Sequence, residues 1–281
     1  MSANGIRTDW VRTSWGAASD TGMKRALNED RYLAQTPVFV VADGMGGHEA
    51  GERASAEVVE ALASLVGLQT VTGLQVRQCL SDAQSRVRAI DTVPGRGAGT
   101  TVTGVVISEH DGVPYWLVVN LGDSRTYRLA DGQLEQVSVD HSEVQEMIED
   151  GELTAEEATH HPRRHVVTKA LGVGTDHEAD FWMIPIAAHD RILVCSDGLT
   201  GELCDEQITQ ILLTEASPQA AAELLVEAAL AAGGRDNVTV LVVDASDVPG
   251  SEDAATTPQQ LDEDATDDTV PRAYPGEPGD N

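Results

Sequence analysis

Positive charge is scarce in this chain. Its 18 lysines and arginines stand against 47 acids, and the formal net charge of −29 would repel a polyanion from most of the surface. Nucleic acid is thereby disfavoured as a partner. Cysteine is scarcer still: Cys79, Cys195 and Cys204 are odd in number and lack metal-ligand spacing. They fit reduced, buried thiols of a cytoplasmic protein and speak against a disulfide framework or a thiolate metal site. No run approaches the roughly 20 apolar residues that span a bilayer, and Met1 to Trp10 has no apolar signal segment. The most apolar stretch, Ala220 to Ala232, carries Glu223 and Glu227 and reads as a helix. No internal repeat is visible. Large apolar residues become rare from Ala245 onward, where ten acids face Arg272 alone, so residues 245–281 read as a disordered acidic tail. That tail takes −9 of the charge and leaves −20 on the rest.

What is present suits a soluble globular fold: 281 residues with 41% hydrophobic content, enough for one large domain or two small ones. Alternation predicts strands at Trp10 to Ala18, Tyr32 to Ala34, Val38 to Ala42, Gly99 to Ile107, Tyr115 to Leu121, Thr126 to Leu129, Leu134 to Val137, Phe181 to Ile186, Arg191 to Cys195 and Val238 to Val243. Helical spacing predicts helices over Glu49 to Val66, with Ala54, Val58, Leu62, Leu65 and Val66 inward, and over Gly73 to Ile90, with Leu74, Val76, Leu80, Ala83 and Val87 inward. Further helices are expected at Asp205 to Leu213 and Pro218 to Ala232. Residues 140–180 differ from their surroundings: a capped helix at Glu143 to Glu149, a second short one from Thr154, then Pro162, His160, His161, His165 and a strand-like Val166 to Thr168. This reads as an insertion over the rim of a site. Its histidines lack accompanying cysteines or spaced acids, so a solvated basic turn is preferred to a zinc site.

The stretch Val38 to Gly51 organises the rest. A short buried strand delivers Asp43 to a rim, followed by Gly44, whose carbonyl is open to close approach, and by His48 on a Gly-rich turn. Those are parts of a hard-metal site with an acid or base beside it. They are equally the parts of a strand-to-helix turn in which Asp43 caps the next helix. Elsewhere, acids again follow strands or sit in Gly-containing turns: Gly122-Asp123, Asp197-Gly198 and Gly234-Arg235-Asp236-Asn237, with Glu29-Asp30 as a fifth cluster. Such corners converging at one end of packed sheets would repel one another unless cations lay among them. All-oxygen donors without thiolate select Mg²⁺ or Mn²⁺. A carboxylate bridging two ions roughly 3.5–4 Å apart suits in-line hydrolysis of a phosphate ester.

Six segments resemble, in order, the metal-dependent PP2C (PPM) family of bacterial protein serine/threonine phosphatases. They are Ser19 to Asp30 (SDTGMKRALNED), Val41 to His48 (VADGMGGH), Gly99-Thr100-Thr101, Leu121 to Arg125 (LGDSR), Ser196 to Thr200 (SDGLT) and Gly234 to Thr239 (GRDNVT). The likeness covers about residues 8–244, and Asp140 to Gly172 looks like the family's flap. It implies an α+β fold, a four-layer α-β-β-α sandwich of two central antiparallel sheets flanked by helices. It also implies that Asp43 bridges two metals, that the Gly44 carbonyl and Glu29 complete one of them with Asp30 in its outer shell, and that Asp197 and Asp236 complete the other. Asp123, with Asp197, would hold a weaker third ion. Arg25 would bind the substrate phosphate, and His48 would protonate the leaving alkoxide. With water as nucleophile no phosphoenzyme is needed, and Cys195 is a core residue. The implied partners are phosphoproteins, Ser/Thr kinases and their targets, met by a cytoplasmic monomer with Mn²⁺ or Mg²⁺.

Three other readings compete. A catalytically weak phosphoprotein-binding regulator would lack a metal corner, and none is lost. An acidic Ca²⁺-binding protein would gather its acids in one short loop. A small-molecule phosphatase would share the chemistry and differ at the flap. The tail threonines Thr256, Thr257, Thr266 and Thr269 stand near acids, so the tail is either an inert solubilising segment or a set of kinase targets.

Overall fold

A computed structural model describes residues 11–46, 49–92, 97–175, 177–246, 248, 259–261 and 271–273. Strand β1 (Arg12–Asp20) leads to the hairpin of β2 (Arg31–Gln35) and β3 (Val38–Ala42), then to the two-residue β4 (Gly44–Met45). Helices α1 (Glu49–Ala63) and α2 (Gly73–Arg88) precede β5 (Gly99–Thr100), β6 (Val102–His110), β7 (Val113–Leu121), β8 (Arg125–Ala130) and β9 (Gln133–Gln136). The insertion holds α3 (Glu143–Glu149) and α4 (Ala155–Thr159). Then come β10 (Asp180–Pro185), β11 (Arg191–Cys195), α5 (Asp197–Thr200), α6 (Asp205–Thr214), α7 (Pro218–Ala232), β12 (Val238–Ser246), β13 (Gln259–Leu261) and β14 (Pro271–Ala273).

Two antiparallel sheets face each other. One is ordered β1-β12-β11-β8-β9 and the other β14-β13-β10-β7-β6-β3-β2. Alternation along the strands assigns each face. In β3, where all five residues are buried, Val38, Val40 and Ala42 pack with Val58 and Leu62 of α1 and Val76 and Leu80 of α2. Phe39 and Val41 point the other way, into a core shared with Ile192, Val194, Leu241 and Val243 of the opposite sheet. That second sheet turns Leu193, Val240 and Val242 outward onto Ile208 and Leu212 of α6 and Leu225 and Ala229 of α7. Three apolar seams therefore separate four layers, helix pair, sheet, sheet, helix pair, with each fully buried valine or leucine contributing about 1.5–3 kcal/mol.

Several elements differ from the sequence expectation. The predicted strand Gly99 to Ile107 is two strands, because Thr101 N–H turns to the Asp43 carbonyl (2.9 Å) while β5 pairs with β4 and β6 pairs with β3. Leu74, placed inward by the spacing, is 66% exposed. It lies about 200° round the helix from Val76, outside the stripe of Val76, Leu80, Ala83 and Val87. Helix α1 stops at Ala63, and Val166 to Thr168 forms one bridge, Val167 with Ser142, in place of a strand. The tail expected to be without regular structure supplies β13, paired to β10 through Trp182↔Gln260 and Met183↔Gln259, and β14 beside it. An edge strand offers unpaired backbone groups that need no apolar sequence to be met. The four tail threonines and His48 lie outside the described residues.

Candidate metal centre

Topology brings the acids together. Asp43 follows β3, Asp123 follows β7 and Asp197 follows β11, whereas Glu29-Asp30 precede β2 and Asp236 precedes β12. Because β2 is antiparallel to β3 and β12 to β11, these strand ends all fall at the same end of the facing sheets.

The backbone around Asp43 is held from β5 and the turn after it. Its N–H donates to Thr101 Oγ1 (3.1 Å), and its carbonyl accepts from Thr100 Oγ1 (2.9 Å) and from Thr101 N–H. Thr101 Oγ1 lies 2.8 Å from Ser124 Oγ, tying the Asp43 and Asp123 corners together. Asn237 fixes the Glu29 loop: its Oδ1 accepts the Glu29 N–H (2.9 Å), and its Nδ2 donates to the carbonyls of Thr21 and Leu27 (2.8 Å each). Gly51, in the first turn of α1, must lack a side chain, since a Cβ there would sit 2.5 Å from Glu29 Oε1 and 2.9 Å from the Gly44 carbonyl oxygen. The carboxylate and the carbonyl are thus pressed against one bare patch of backbone.

The charges in this corner are uncomfortable. Asp43 is held well above the usual carboxylate range, first by burial and then by the neighbouring charges of Asp30, Asp197, Asp123 and Asp236. Asp123 is raised by burial and by Asp197 and Asp140. Asp30 is pushed up to about 7 by burial, which outweighs hydrogen bonds from Thr239 and Ser196. Glu29 is raised by burial, against the lowering influence of Arg25. Buried Glu29 Oε1 and Asp30 Oδ1 have no hydrogen-bond partner. Orphaned oxygens and mutually repelling carboxylates are the donor chemistry that a hard divalent cation satisfies, and the residues fit one. Among the described residues no three acidic, His or Cys side chains already close into a cage; the donors stand around a cavity instead.

That cavity encloses about 740 Å³ and is lined by Arg25, Glu29, Asp43, Gly44, Asp123, Asp197 and Asp236 of the expected set. Asp30 lies behind this wall, 2% exposed, where its Oδ2 accepts from Ser196 Oγ (2.8 Å). Arg25 stands half-exposed at the mouth, donating to Asp236 Oδ2 (2.7 Å) and 3.9 Å from Glu29. The insertion overhangs the opening with Arg164, His165, Val166 and Val167. His165 Nδ1 is 3.7 Å from Asp197 Oδ2. Burial pushes the Cys195 thiol up to about 12, which removes it from nucleophilic chemistry.

The Gly-Thr-Thr and Arg-Asp-Asn segments stand out in the sequence, but the clamping roles of Thr100, Thr101 and Asn237 do not. Nor does the role of His141 at the root of the insertion. His141 Nδ1 accepts the Gly122 N–H (3.1 Å) and its Nε2 lies 3.1 Å from Asp180 Oδ2. Polar residues in tight corners were the available signal, and their partners lie up to 216 positions away along the chain.

Residues 23–232 match the protein phosphatase 2C family, well over half of the chain, and the chain belongs to that family. Among individual proteins it is similar to the serine/threonine protein phosphatase PstP of Mycobacterium tuberculosis, at 38% identity over 83% of this chain. It spans 45% of that relative's length. The serine/threonine phosphatase stp of Listeria welshimeri is 33% identical over 84% of this chain and 98% of its own. The crystal structure of the PstP catalytic domain in complex with two manganese ions superposes with a TM-score of 0.74 at 37% identity, covering 84% of this chain and 99% of that one. Among the described residues no helix is long and apolar enough to cross a membrane.

Proposed function

We propose that this chain is a metal-dependent protein serine/threonine phosphatase that hydrolyses phosphoserine and phosphothreonine on proteins and opposes Ser/Thr kinases. Acids from five separate chain segments meet at one end of two sheets, repel one another and line a cavity with arginine at its mouth. That single observation carries the reading, and family membership agrees with it. The likeness to a manganese-bound relative supports two Mn²⁺ or Mg²⁺ ions as cofactors. Asp43 would be shared between them, with Glu29 and the Gly44 carbonyl on one side, Asp30 in the outer shell there, and Asp197 and Asp236 on the other. Asp123 with Asp197 would hold a weaker third ion. When bound, the ions would supply Lewis acidity, activating water and offsetting phosphoryl charge.

The chain's own groups would do the rest. Arg25 would release Asp236 and turn its planar fork to two phosphate oxygens, orienting the ester for in-line displacement. His48 would donate a proton to the departing seryl or threonyl oxygen, which is a poor leaving group as an alkoxide. The Thr100-Thr101 and Asn237 clamps would keep the carboxylates from drifting, and the insertion at residues 140–180 would shape the approach of a protein substrate. We assign residues 8–244 to the phosphatase domain, working in the cytoplasm as a monomer. Three cysteines, all free, agree with a reducing compartment.

Turnover of a phosphothreonine peptide against a sugar phosphate, in Mn²⁺, Mg²⁺ or chelator, tests the proposal on wild type and on Asp236→Ala. Peptide turnover that needs metal and collapses in the variant is expected. Metal-independent turnover, or preference for the sugar phosphate, would sink it.

A further inference from the structure

A second cavity, of about 400 Å³, opens between α2 and the segment that leads from the insertion into β10. Its floor is apolar: Leu80, Leu121 and Leu171 are 6%, 1% and 3% exposed. Its wall is one face of α2, where Arg77, Ser81, Gln84 and Arg88 recur at helical spacing, and His177 lines it from across the gap. The sign of charge is the reverse of the whole molecule's. In a chain with a formal charge of −29, two arginines and a histidine line this cavity against Glu178 as its one acid.

Arg77 is built in. Its guanidinium carbon stacks 4.9 Å from the centre of the Phe181 ring, and its buried Nε has no hydrogen-bond partner. The ring face favours the cation, whereas the buried, unspent Nε donor carries a cost until an acceptor comes to it. The opposite wall is anchored to the same helix. Gln84 Oε1 accepts the Gly172 N–H (2.6 Å), and Arg88 Nη2 donates to the Gly174 carbonyl (3.2 Å).

We propose that this cavity is a second ligand site, taking a small organic anion whose carboxylate or phosphate head meets Arg77 and whose apolar body lies on Leu80, Leu121 and Leu171. The volume suits one or two rings. Two of the floor residues lead to the carboxylate centre. Leu171 exchanges both backbone hydrogen bonds with Thr100 (2.9 and 3.0 Å), whose Oγ1 holds the Asp43 carbonyl, and Leu121 adjoins the Gly122-Asp123 corner. An occupant that braces this floor therefore braces two of the acids, and by linkage it shifts divalent-ion affinity.

Calorimetry of the full chain with 2-naphthoate tests this without any turnover measurement, so its outcome is independent of the phosphatase reading. Saturable binding is expected, weakened at least about tenfold when 2-naphthamide replaces the acid or when Arg77→Met removes the charge. Ser81→Trp, which fills the cavity from its exposed wall, should abolish binding, and in chelator Asp43→Asn should leave it intact. Absence of saturation, equal binding of acid and amide, or loss in Asp43→Asn would overturn the site. Saturating naphthoate should also lower the Mn²⁺ concentration at half-loading, and an unchanged midpoint would overturn the coupling.

Discussion

Among the described residues, Asp190 and the acid-lined cavity bury carboxylates in opposite ways. Asp190, 2% exposed, accepts from Arg128 Nε (3.0 Å) and Nη2 (2.6 Å) on one oxygen, and from Trp116 Nε1 (3.2 Å) and the Ala187 N–H (3.0 Å) on the other. Arg128 belongs to one sheet and Trp116 to the other, so the pair pins the two sheets face to face. At the acid-lined cavity the reverse holds. Asp43 sits among four other aspartates, and one buried oxygen each of Glu29 (Oε1) and Asp30 (Oδ1) has no hydrogen-bond partner. A buried charge whose every lone pair is met belongs to the scaffold. One that stays repelled and unmet marks a place where the fold carries a permanent penalty for the sake of something it binds.

That contrast can be broken by substitution. Asp43→Asn should lower phosphopeptide turnover by about 1,000-fold or more, because on the proposed reading both ions would share Asp43. In chelator the same variant should melt higher than wild type, since a raised carboxylate that no longer ionises no longer opposes folding. A lower Tm in chelator would show that Asp43 is a scaffold residue like Asp190. Asp190→Ala should destabilise the protein by about 3–5 kcal/mol in denaturant titration, since it removes the acceptor that Arg128, Trp116 and the Ala187 N–H share, with kcat of the remaining folded enzyme near wild type.

The pH dependence sharpens the difference further. Asp30, at about 7, and Asp43 and Asp123, well above their ordinary value of 3.8, are raised in the folded state, so the native protein binds more protons than the unfolded chain. Their favourable contribution is complete below the unfolded carboxylate pKa and is lost as pH climbs through the folded values. Chelated protein should therefore melt lower at pH 8 than at pH 5.5, and Mn²⁺ should restore most at pH 8. A Tm that rises over that interval in chelator would contradict this. The smallest effect is expected from Thr101→Val, which removes one hydrogen bond to Asp43 and one to Ser124 and should cost about 1 kcal/mol.

How much of this was legible beforehand follows from the physics of each signal. Strands buried on both faces and helices with one buried stripe announce themselves through spacing, as in β3 and in the Val76, Leu80, Ala83, Val87 stripe. Elements made by hydrogen bonding alone do not. The ladder β4-β5 is two residues long, too short for periodicity, and α5 begins at Ser196, whose hydroxyl serves Asp30 and makes no cap. The acid corners were visible as Asp-Gly turns, but whether they meet depends on strand order, which no single turn encodes. Asp30 shows the limit most clearly. It reads like its neighbour Glu29, yet it faces away from the cavity into a pocket of hydroxyls from the other sheet.

The placement of β12 has a consequence for synthesis. It lies between β1 and β11, and the turn before it supplies both Asp236 and the Asn237 clamp on the Glu29 loop. Glu29 and Asp43 leave the ribosome about 200 residues before the strand that completes their surroundings, at usual elongation rates a delay of roughly 10–40 seconds. Until then a nascent chain carries the acids without the frame that faces them toward one another. On the proposed reading, competence to hold ions would come only once β12 is made, and a truncation between residues 197 and 236 would leave four acid corners without the fifth.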